Sequence, residues 1–477
     1  MGTSTVIADG WGWRFGANPS LGIAGGSFTI APGERVLLLG PSGSGKSTLL
    51  RALAGVLGDD EGEQLGTLTV GGQPAVAARG TVGLVLQDPE SQTVAARVGD
   101  DVAFGCENLG VPRDEIWPRV RAVLDAVNLS VPLGHPTAHL SGGQRQRMAL
   151  AGALAMCPAI LLLDEPTANL DPVGAVDVRD AVVSSVEASR STLIVVDHNV
   201  DLWWHSLDRV LVLDHTGALV VDASMATALR EHGELLHSLG VWLPQQLTPE
   251  FVTARATSVP LLSTTRLEVG RRSQPAISID DCEIRSGEFT AVTGLNGAGK
   301  TTFVLTMGGL LAPQGGTVNA APSLAQGVRS APHRWSSRQL ARRIGNVFQS
   351  PEHSFVRPSV MGELELALHI AGIRGRFVSE RVDELLTRLN LTRHASAHPF
   401  TLSGGQKRRL SVGIAVATRP NVLVMDEPTF GQDARTWREL VDLMSELSAH
   451  GCAIVAATHD TRLAGRAQTT IELEVRS

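Results

Sequence analysis

The amino-acid sequence predicts two consecutive α/β domains, each built around a mostly parallel β-sheet. The chain has 477 residues, which is more than one ordinary domain contains. Matching sequence features recur in its two halves at a nearly constant offset. Within each half, short continuous apolar segments alternate with helical patterns, as expected for a parallel sheet that is covered on both faces.

The internal repeat defines the organisation of the chain. The pentapeptide Leu-Ser-Gly-Gly-Gln begins at Leu140 and again at Leu402, an offset of 262 residues. Upstream of it, two similar glycine-rich segments end in Lys46 and Lys300, an offset of 254, so the second half carries eight extra residues between these two motifs. The predicted regions are a first domain at 1–244, a Pro-, Ser- and Thr-containing linker at 245–262, and a second domain at 263–477.

Six short apolar segments, three in each half, are predicted to be buried strands. Runs of this length, rich in Val, Leu and Ile and bounded by turn residues or charges, are typical of strands in a parallel sheet. The predicted strands are Arg35–Leu39, Ile160–Leu163 and Leu193–Val196 in the first half, and Phe289–Thr293, Val422–Met425 and Ala453–Ala457 in the second.

Composition excludes several classes of protein. A net charge of −7 argues against a strongly basic nucleic-acid-binding surface over the whole chain, and a hydrophobic content of 43% is sufficient for packed cores. The four cysteines lack the paired spacing of a zinc site or a disulfide framework, so we expect reduced thiols. No apolar segment reaches the roughly 20 residues that a membrane-spanning helix needs. If the protein acts at a membrane, we expect another chain to supply the membrane part.

Two glycine-rich segments match the phosphate-binding pattern G-x-x-x-x-G-K-S/T, and each follows a predicted strand. The glycines let several backbone N–H groups point at phosphate oxygens, the lysine reaches the outer phosphates, and the hydroxyl of Ser47 or Thr301 ligates Mg²⁺. We therefore expect ATP and Mg²⁺ as ligands. The predicted phosphate-binding residues are Gly40, Pro41, Ser42, Gly43, Ser44, Gly45, Lys46, Ser47 and Thr48, and Gly294, Leu295, Asn296, Gly297, Ala298, Gly299, Lys300, Thr301 and Thr302.

Adjacent carboxylates end one predicted strand in each half, as Asp164-Glu165 and Asp426-Glu427. Successive strand residues point to opposite faces, so the two acids of a pair can have different roles. Asp164 and Asp426 suit a role in holding Mg²⁺ through water. Glu165 and Glu427 suit a general base that polarises the attacking water.

A histidine follows a further predicted strand in each half, at His198 and His459. A single histidine is usually structural. Because the residue recurs at the same place in both halves, we predict a polar contact with the γ-phosphate or the attacking water.

Taken together, these motifs resemble those of ABC-type ATPases, and the resemblance extends over almost all of both halves. It implies two ABC-type P-loop nucleotide-binding domains, each with a mostly parallel sheet and a helical signature subdomain. Gln87 and Gln349 would be the Q-loop residues, which link Mg²⁺ and the attacking water to a transmembrane partner. His198 and His459 would be the switch histidines. The predicted signature residues, which in this family bind the γ-phosphate of the ATP held by the other half, are Ser141, Gly142, Gly143 and Gln144, and Ser403, Gly404, Gly405 and Gln406.

The family's head-to-tail arrangement implies intramolecular pairing of the two ATPase domains and two composite sites, both with a full set of catalytic residue types. Two departures predict that the sites are unequal. Phe15, or less favourably Trp13, is placed to stack on adenine in the first half, whereas the corresponding stretch Arg266–Arg272 has no aromatic residue. The D-loop of the first half, Ala168–Asp171, has the usual sequence, whereas the second half has Phe430–Asp433.

The residues after each Q-loop glutamine indicate the branch of the family. Gln87-Asp-Pro-Glu-Ser-Gln, followed by Val98-Gly-Asp-Asp-Val-Ala-Phe-Gly, is similar to the ATPases of energy-coupling-factor importers. This resemblance implies a peripheral protein at the cytoplasmic face of the cell membrane, a transmembrane coupling protein and small substrate-binding membrane proteins as partners, and uptake of a vitamin or a transition-metal ion. It implies no nucleic-acid partner.

Alternative functions are an ATPase of another ABC importer or exporter, a soluble ribosome-associated ABC protein, or a DNA-repair ATPase. The short, nearly uncharged linker argues against the ribosome-associated class, which usually has a long charged one. No coiled-coil or zinc insertion supports the DNA-repair class. The sequence does not identify the cargo, because the substrate contacts would lie in other chains.

Overall fold

The computed structural model describes residues 4–16, 22–58, 60–168, 170–242, 258–270 and 277–473. The chain divides into two compact units, Met1–Gln246 with Asp433–Arg435, and Leu247–Gln432 with Thr436–Ser477. The predicted linker, 245–262, lies outside the described residues as far as 257. Its last residues belong to the second unit, because a strand begins at Pro260 and buries Leu261 and Leu262 in that unit's core.

The first unit contains an antiparallel sheet in the order β2-β1-β4-β5 and a six-stranded sheet in the order β10-β9-β3-β8-β7-β6. In the larger sheet the neighbouring strands β6, β7, β8, β3 and β9 all run parallel to one another. The edge strand β10 pairs antiparallel with β9. The strands are β1 (Val6–Phe15), β2 (Gly22–Ile30), β3 (Arg35–Leu39), β4 (Gly62–Val70), β5 (Gln73–Pro74), β6 (Val82–Val85), β7 (Ile160–Asp164), β8 (Thr192–Val196), β9 (Arg209–Leu213) and β10 (Leu219–Ser224).

Three helices of the first unit, α2, α3 and α4, form a separate helical segment between β6 and β7, and the others lie elsewhere in the chain. In that segment α2 and α3 both pack on α4. The helices are α1 (Lys46–Leu53), α2 (Val98–Asn108), α3 (Arg113–Ala126), α4 (Gly142–Ala155), α5 (Pro172–Ser189), α6 (Val200–Trp203) and α7 (Met225–Ser238).

The second unit repeats this plan with a five-stranded parallel sheet in the order β16-β17-β18-β14-β19. The unit also has a small antiparallel sheet, in which β11 pairs with β12, β13 and β15. The strands are β11 (Pro260–Val269), β12 (Ile277–Ile279), β13 (Glu283–Arg285), β14 (Phe289–Gly294), β15 (Gly315–Ala320), β16 (Ile344–Val347), β17 (Val422–Asp426), β18 (Ala453–Ala457) and β19 (Thr469–Leu473).

The helices of the second unit include two short ones in the insertion that the repeat predicted. The helices are α8 (Lys300–Met307), α9 (Pro322–Ala325), α10 (Ser337–Ala341), α11 (Val360–Ile370), α12 (Arg376–Arg388), α13 (Gly404–Val416), α14 (Ala434–Ala449) and α15 (Thr461–Ala464). The extra residues fall between β15 and β16, where α9 and α10 lie.

All six predicted strands are present, each within one residue of its predicted bounds, and the prediction of mostly parallel sheets is confirmed. In the first unit β3, β7 and β8 are almost entirely buried, which explains their continuous apolar sequence. The antiparallel sheet of each unit did not follow from the sequence, because strands such as β1 and β4 mix buried, exposed and glycine positions. Among the described residues, no helix has the length and apolar character to cross a membrane.

Candidate functional site

The glycine-rich segments form the turns from β3 into α1 and from β14 into α8. The residues that cap these helices, Gly45 and Gly299, have φ values of 92° and 88°, which residues with a side chain rarely adopt. At Gly43 and Gly297 φ is +83°, and an added Cβ would meet no atom within 4 Å. Each loop therefore presents open backbone at a helix N-terminus, which fits a phosphate group.

The lysine of each loop is folded over the loop itself. Lys46 Nζ donates hydrogen bonds to the carbonyl oxygens of Gly40 and Pro41 at 2.8 and 2.9 Å. Lys300 Nζ donates to Gly294 and Leu295 at 2.9 and 3.0 Å. Burial lowers the pKa of Lys46, and the nearby carboxylates of Glu165 and Asp164 oppose this shift.

The predicted Mg²⁺ ligands lie together in both units. Asp164 ends β7 and hydrogen-bonds the side chain of Ser47, and Asp426 ends β17 and hydrogen-bonds Thr301. Burial raises the pKa of Asp164 to about 6 despite the Ser47 hydrogen bond, and burial also raises the pKa of Asp426. A hydroxyl and a carboxylate side by side at a phosphate loop are the oxygen ligands that Mg²⁺ prefers, so these residues fit the ion.

Glu165 is held by two other predicted site residues. Gln87 Nε2 donates to Glu165 Oε2 at 2.9 Å, and His198 Nε2 lies 3.1 Å from Glu165 Oε1. Burial alone would raise the pKa of Glu165, but the attraction and hydrogen bond of His198, together with Lys46 and Gln87, outweigh it and the pKa is lowered. In the first unit the structure therefore brings together the predicted base, the Q-loop glutamine and the histidine.

The second unit arranges the same residue types differently. The backbone N–H of His459 donates to Glu427 Oε2 at 3.2 Å, but His459 Nε2 is 3.8 Å from Glu427 Oε1. That ring nitrogen instead lies 3.0 Å from Asn296 Oδ1, at the loop position that Ser42 occupies in the first unit. Glu427 Oε1 has no hydrogen-bond partner in the described part of the chain, and burial raises the Glu427 pKa to about 7.

Sequence reasoning missed an aspartate beside each histidine, which is buried in the first unit and half-buried in the second. Asp197 precedes His198 and accepts hydrogen bonds from Thr167 at 2.7 Å and from Trp203 at 2.9 Å. In the second unit the aspartate follows the histidine: Asp460 accepts from Thr429 at 3.0 Å and from Trp437 at 2.5 Å. Each aspartate ties the loop after the carboxylate strand to the histidine loop. The available signal was a threonine 30 residues before the aspartate in the first unit and 31 residues before it in the second, and this difference of one residue concealed the correspondence.

The two signature motifs lie at the starts of α4 and α13. Ser141 accepts a hydrogen bond from the backbone N–H of Gln144, and the Gln144 side chain accepts one from the Ser141 backbone; Ser403 and Gln406 repeat this arrangement. Both serines are exposed. These capping boxes define where each helix begins and leave the first-turn backbone accessible.

The predicted adenine contact concerns the end of β1. Phe15 is partly buried and packs against the core of the first unit, whereas Trp13 is 4% exposed and lies within that core. The D-loop of the first unit is described except for Asn169, and its Asp171 caps α5. The segment after α7, Gly240, Val241 and Trp242, lines a small cavity together with Lys46 and His198.

Comparison with known proteins agrees with this geometry. The family model described as "ABC transporter" matches residues 23–168 and 278–430, which include both phosphate loops and both carboxylate pairs. The chain belongs to the ABC transporter family. It is an ATPase with two ABC transporter domains in tandem, and its α/β fold with parallel sheets and helical subdomains is the fold of that family.

Individual relatives align with more than nine-tenths of this chain. A Bacillus subtilis protein named "Putative HMP/thiamine import ATP-binding protein YkoD" is 33% identical over 92% of this chain and 84% of its own length. A "Putative ABC transporter ATP-binding protein" of Methanosarcina acetivorans is 32% identical over 91% of this chain and 78% of its own. In a solved structure, an archaeal ribosome recycling factor, aABCE1, aligns with a TM-score of 0.62 at 19% identity, over 96% of this chain and 86% of that one, which shows similarity of fold.

Proposed function

We propose that this chain is the energy-coupling ATPase of an importer of the energy-coupling-factor type. It drives uptake of a vitamin or a transition-metal ion through separate membrane subunits, from the cytoplasmic face of the membrane. The observation that carries the proposal is the similarity over 92% of the chain to a protein whose printed name is an HMP/thiamine import ATP-binding protein. HMP and thiamine are therefore the first cargoes to test.

The Q-loop regions support the same proposal. In the first unit a one-turn helix, Pro89–Gln92, follows the Q-loop glutamine and leads into α2; in the second, Pro351–Ser354 leads into α11. These are the segments whose sequences resemble importer ATPases. Exposed apolar side chains occur in both, at Val94 (63% exposed) and Val356 (72% exposed). Such residues suit contacts with a membrane partner.

For the first site we propose the following division of roles. The backbone of the loop and Lys46 bind the outer phosphates, and Ser47, Asp164 and Gln87 hold Mg²⁺. Bound Mg²⁺ supplies charge neutralisation on the phosphates. Glu165 accepts a proton from the attacking water at a carboxylate oxygen, and His198 orients that carboxylate through Oε1.

The second site carries the same residue types, but the structure holds its glutamate less firmly. Lys300 binds phosphate, Thr301, Asp426 and Gln349 hold Mg²⁺, and Glu427 is the base. His459 lies against Asn296 of the phosphate loop and reaches Glu427 Oε2 through its backbone N–H. We propose that the second site hydrolyses ATP more slowly than the first.

The importer function can be tested by isolating the double variant Glu165→Gln/Glu427→Gln from detergent-solubilised membranes of its host. Removal of both bases should trap the ATP-bound assembly, and mass spectrometry then identifies the proteins that copurify. A multi-span coupling protein together with a small substrate-binding membrane protein is the expected result. Recovery of ribosomes or DNA-bound factors without an integral membrane protein would contradict the transport function. It would not contradict the conclusion that the chain is an ATPase.

A further inference from the structure

At one buried position of the helix that begins at the signature motif, a neutral side chain in the first unit is replaced by a charged one in the second. In the first unit this position of α4 is Gln146, and in the second the corresponding position of α13 is Arg408. Both side chains are almost fully buried, at 1% and 3% exposure. A buried guanidinium needs partners that justify its loss of hydration, so its contacts are informative.

Arg408 donates to the backbone of the second Q-loop. Its Nη1 hydrogen-bonds the carbonyl oxygen of Phe348 at 2.8 Å, and its Nη2 hydrogen-bonds that of Gln349 at 2.6 Å. Burial lowers the Arg408 pKa to about 10, and attraction by Glu352, Asp426 and Glu427 opposes that shift. The side chain therefore remains charged at neutral pH, and charge-assisted bonds in a buried site are strong and directional.

No equivalent hydrogen bond from the signature helix to the backbone of the first Q-loop is present among the described residues. Neither amide atom of Gln146 has a hydrogen-bond partner among the residues that the structure describes. The loop is instead closed by Gln92, which accepts from the Leu86 N–H at 2.8 Å and donates to the Leu84 carbonyl at 3.1 Å. The position of Gln92 corresponds to Ser354 in the second unit, which cannot span the loop in this way; its hydroxyl bonds Pro351 and Ser411.

In both units an ion pair joins the signature helix to the turn that follows the Q-loop glutamine, here called the Q-loop turn. Because it is common to both units, it does not explain why, in the part of the chain that the structure describes, only the second Q-loop backbone is bonded to its signature helix. Arg145 pairs with Glu90 in the first unit, and Lys407 pairs with Glu352 at 3.1 Å in the second. The glutamates of both pairs are more than a third exposed, and such pairs stabilise weakly. Among the described contacts between a signature helix and its Q-loop, the one made by Arg408 is buried and charged, and the first unit shows no equivalent.

We propose that Arg408 is a positioning residue that fixes the second Q-loop to its signature helix, so that the backbone at Gln349 follows any movement of α13. The first Q-loop keeps its shape through Gln92 and is not fixed in this way. The proposal concerns contacts within each unit. It rests on the ATPase activity of the family and does not depend on the importer function or its cargo.

The test compares the same substitution at the two equivalent positions. Arg408→Met is made with Glu165→Gln, which leaves Glu427 as the remaining predicted base, and Gln146→Met is made with Glu427→Gln. We expect Arg408→Met to lower kcat at the second site about 10- to 100-fold, the scale expected when a site group is misplaced by around an ångström, with a much smaller change in the KM for ATP. Gln146→Met should leave the kcat of the first site unchanged and raise the melting temperature, because it removes buried polar atoms that lack partners.

A second readout needs no nucleotide. The amides of His353 and Phe355 bond carbonyls within the turn after Gln349, so hydrogen exchange reports the order of this turn. Arg408→Met should accelerate exchange at these amides, whereas Gln146→Met should leave the turn at Pro89–Gln92 unchanged. Arg408→Lys, which keeps the charge but cannot reproduce the two-pronged donation, should give intermediate exchange and an intermediate kcat.

Equal effects of the two methionine variants on exchange and kcat would overturn the proposal. So would an Arg408→Met protein with a lower melting temperature but unchanged exchange and kcat. If Arg408→Met does not fold, Arg408→Lys decides: unchanged exchange and kcat in that variant would reject the positioning role. Failure to copurify membrane subunits would contradict the importer function alone and would not bear on the exchange and kcat outcomes that test Arg408.

Discussion

The two ATP sites contain the same motif residues but connect them differently. In the first, Gln87 and His198 both reach the carboxylate of Glu165. In the second, the His459 ring faces Asn296, and Gln349 donates no hydrogen bond to Glu427 among the described contacts. The two units also differ at neighbouring positions, with Ser42 in the place of Asn296 and Gln146 in the place of Arg408. Motif identity therefore predicts which groups are present, and neighbouring residues determine how these groups are held.

The largest expected effect separates the two glutamates. We expect Glu165→Gln to lower steady-state ATPase activity about 100-fold, the scale of a lost general base. Glu427→Gln should lower it less than about tenfold, because a base that is held by one backbone N–H contributes less to begin with. Phosphate release by the two purified variants, with the double variant as the zero-activity control, measures this. Equal losses would show that the two sites share turnover evenly.

The loop residue that faces His459 provides a sharper test. In the Glu165→Gln background, Asn296→Ser should free the His459 ring to approach Glu427 and raise second-site turnover about three- to tenfold. The reciprocal Ser42→Asn in the Glu427→Gln background should lower first-site turnover. The kcat values of both variants are compared with those of their parents. A fall after Asn296→Ser would mean that the Asn296 contact supports catalysis.

The aspartates beside the two histidines should behave alike, because each accepts hydrogen bonds from a threonine and a tryptophan. Asp197→Asn and Asp460→Asn each replace a charged acceptor of threonine and tryptophan hydrogen bonds by a neutral one. We expect each to lower the free energy of unfolding by about 1–3 kcal/mol. Urea denaturation followed by tryptophan fluorescence measures the change. A loss confined to one variant would reveal a further asymmetry.

The smallest effects are expected at the ion pairs that the two units share. Glu90→Gln and Glu352→Gln each break one pair between a signature helix and a Q-loop turn. Because these glutamates are substantially exposed, we expect changes in unfolding free energy below about 1 kcal/mol in both cases. Differential scanning calorimetry is sufficient to detect a larger change. An effect of Glu352→Gln on hydrogen exchange and kcat as large as that of Arg408→Met would transfer the positioning role to the ion pair.

Sequence reasoning predicted the parallel sheets, because β3, β7, β8 and their counterparts in the second unit are continuous apolar segments. In each unit one of these strands leads into the phosphate loop and another ends at the carboxylate pair. It also named Gln87 and His198 as site residues, and the structure places both within hydrogen-bond distance of Glu165. It did not predict the antiparallel sheets, whose glycine-rich strands lack a clear period of two. Nor did it predict the contacts of Arg408 or Asp460, because these depend on which loop backbone lies beside a buried position.

The most direct measurement assigns the hydrolysed nucleotide to a unit. The wild-type protein is incubated briefly with Mg²⁺ and 8-azido-ATP labelled at the α-phosphate, separated from free nucleotide, photocrosslinked and digested, and the peptides of each unit are analysed for bound ADP and ATP. We predict mainly ADP on peptides from residues 1–242 and mainly unhydrolysed ATP on peptides from residues 258–473. The same ratio of ADP to ATP on both sets of peptides would contradict the unequal-site account.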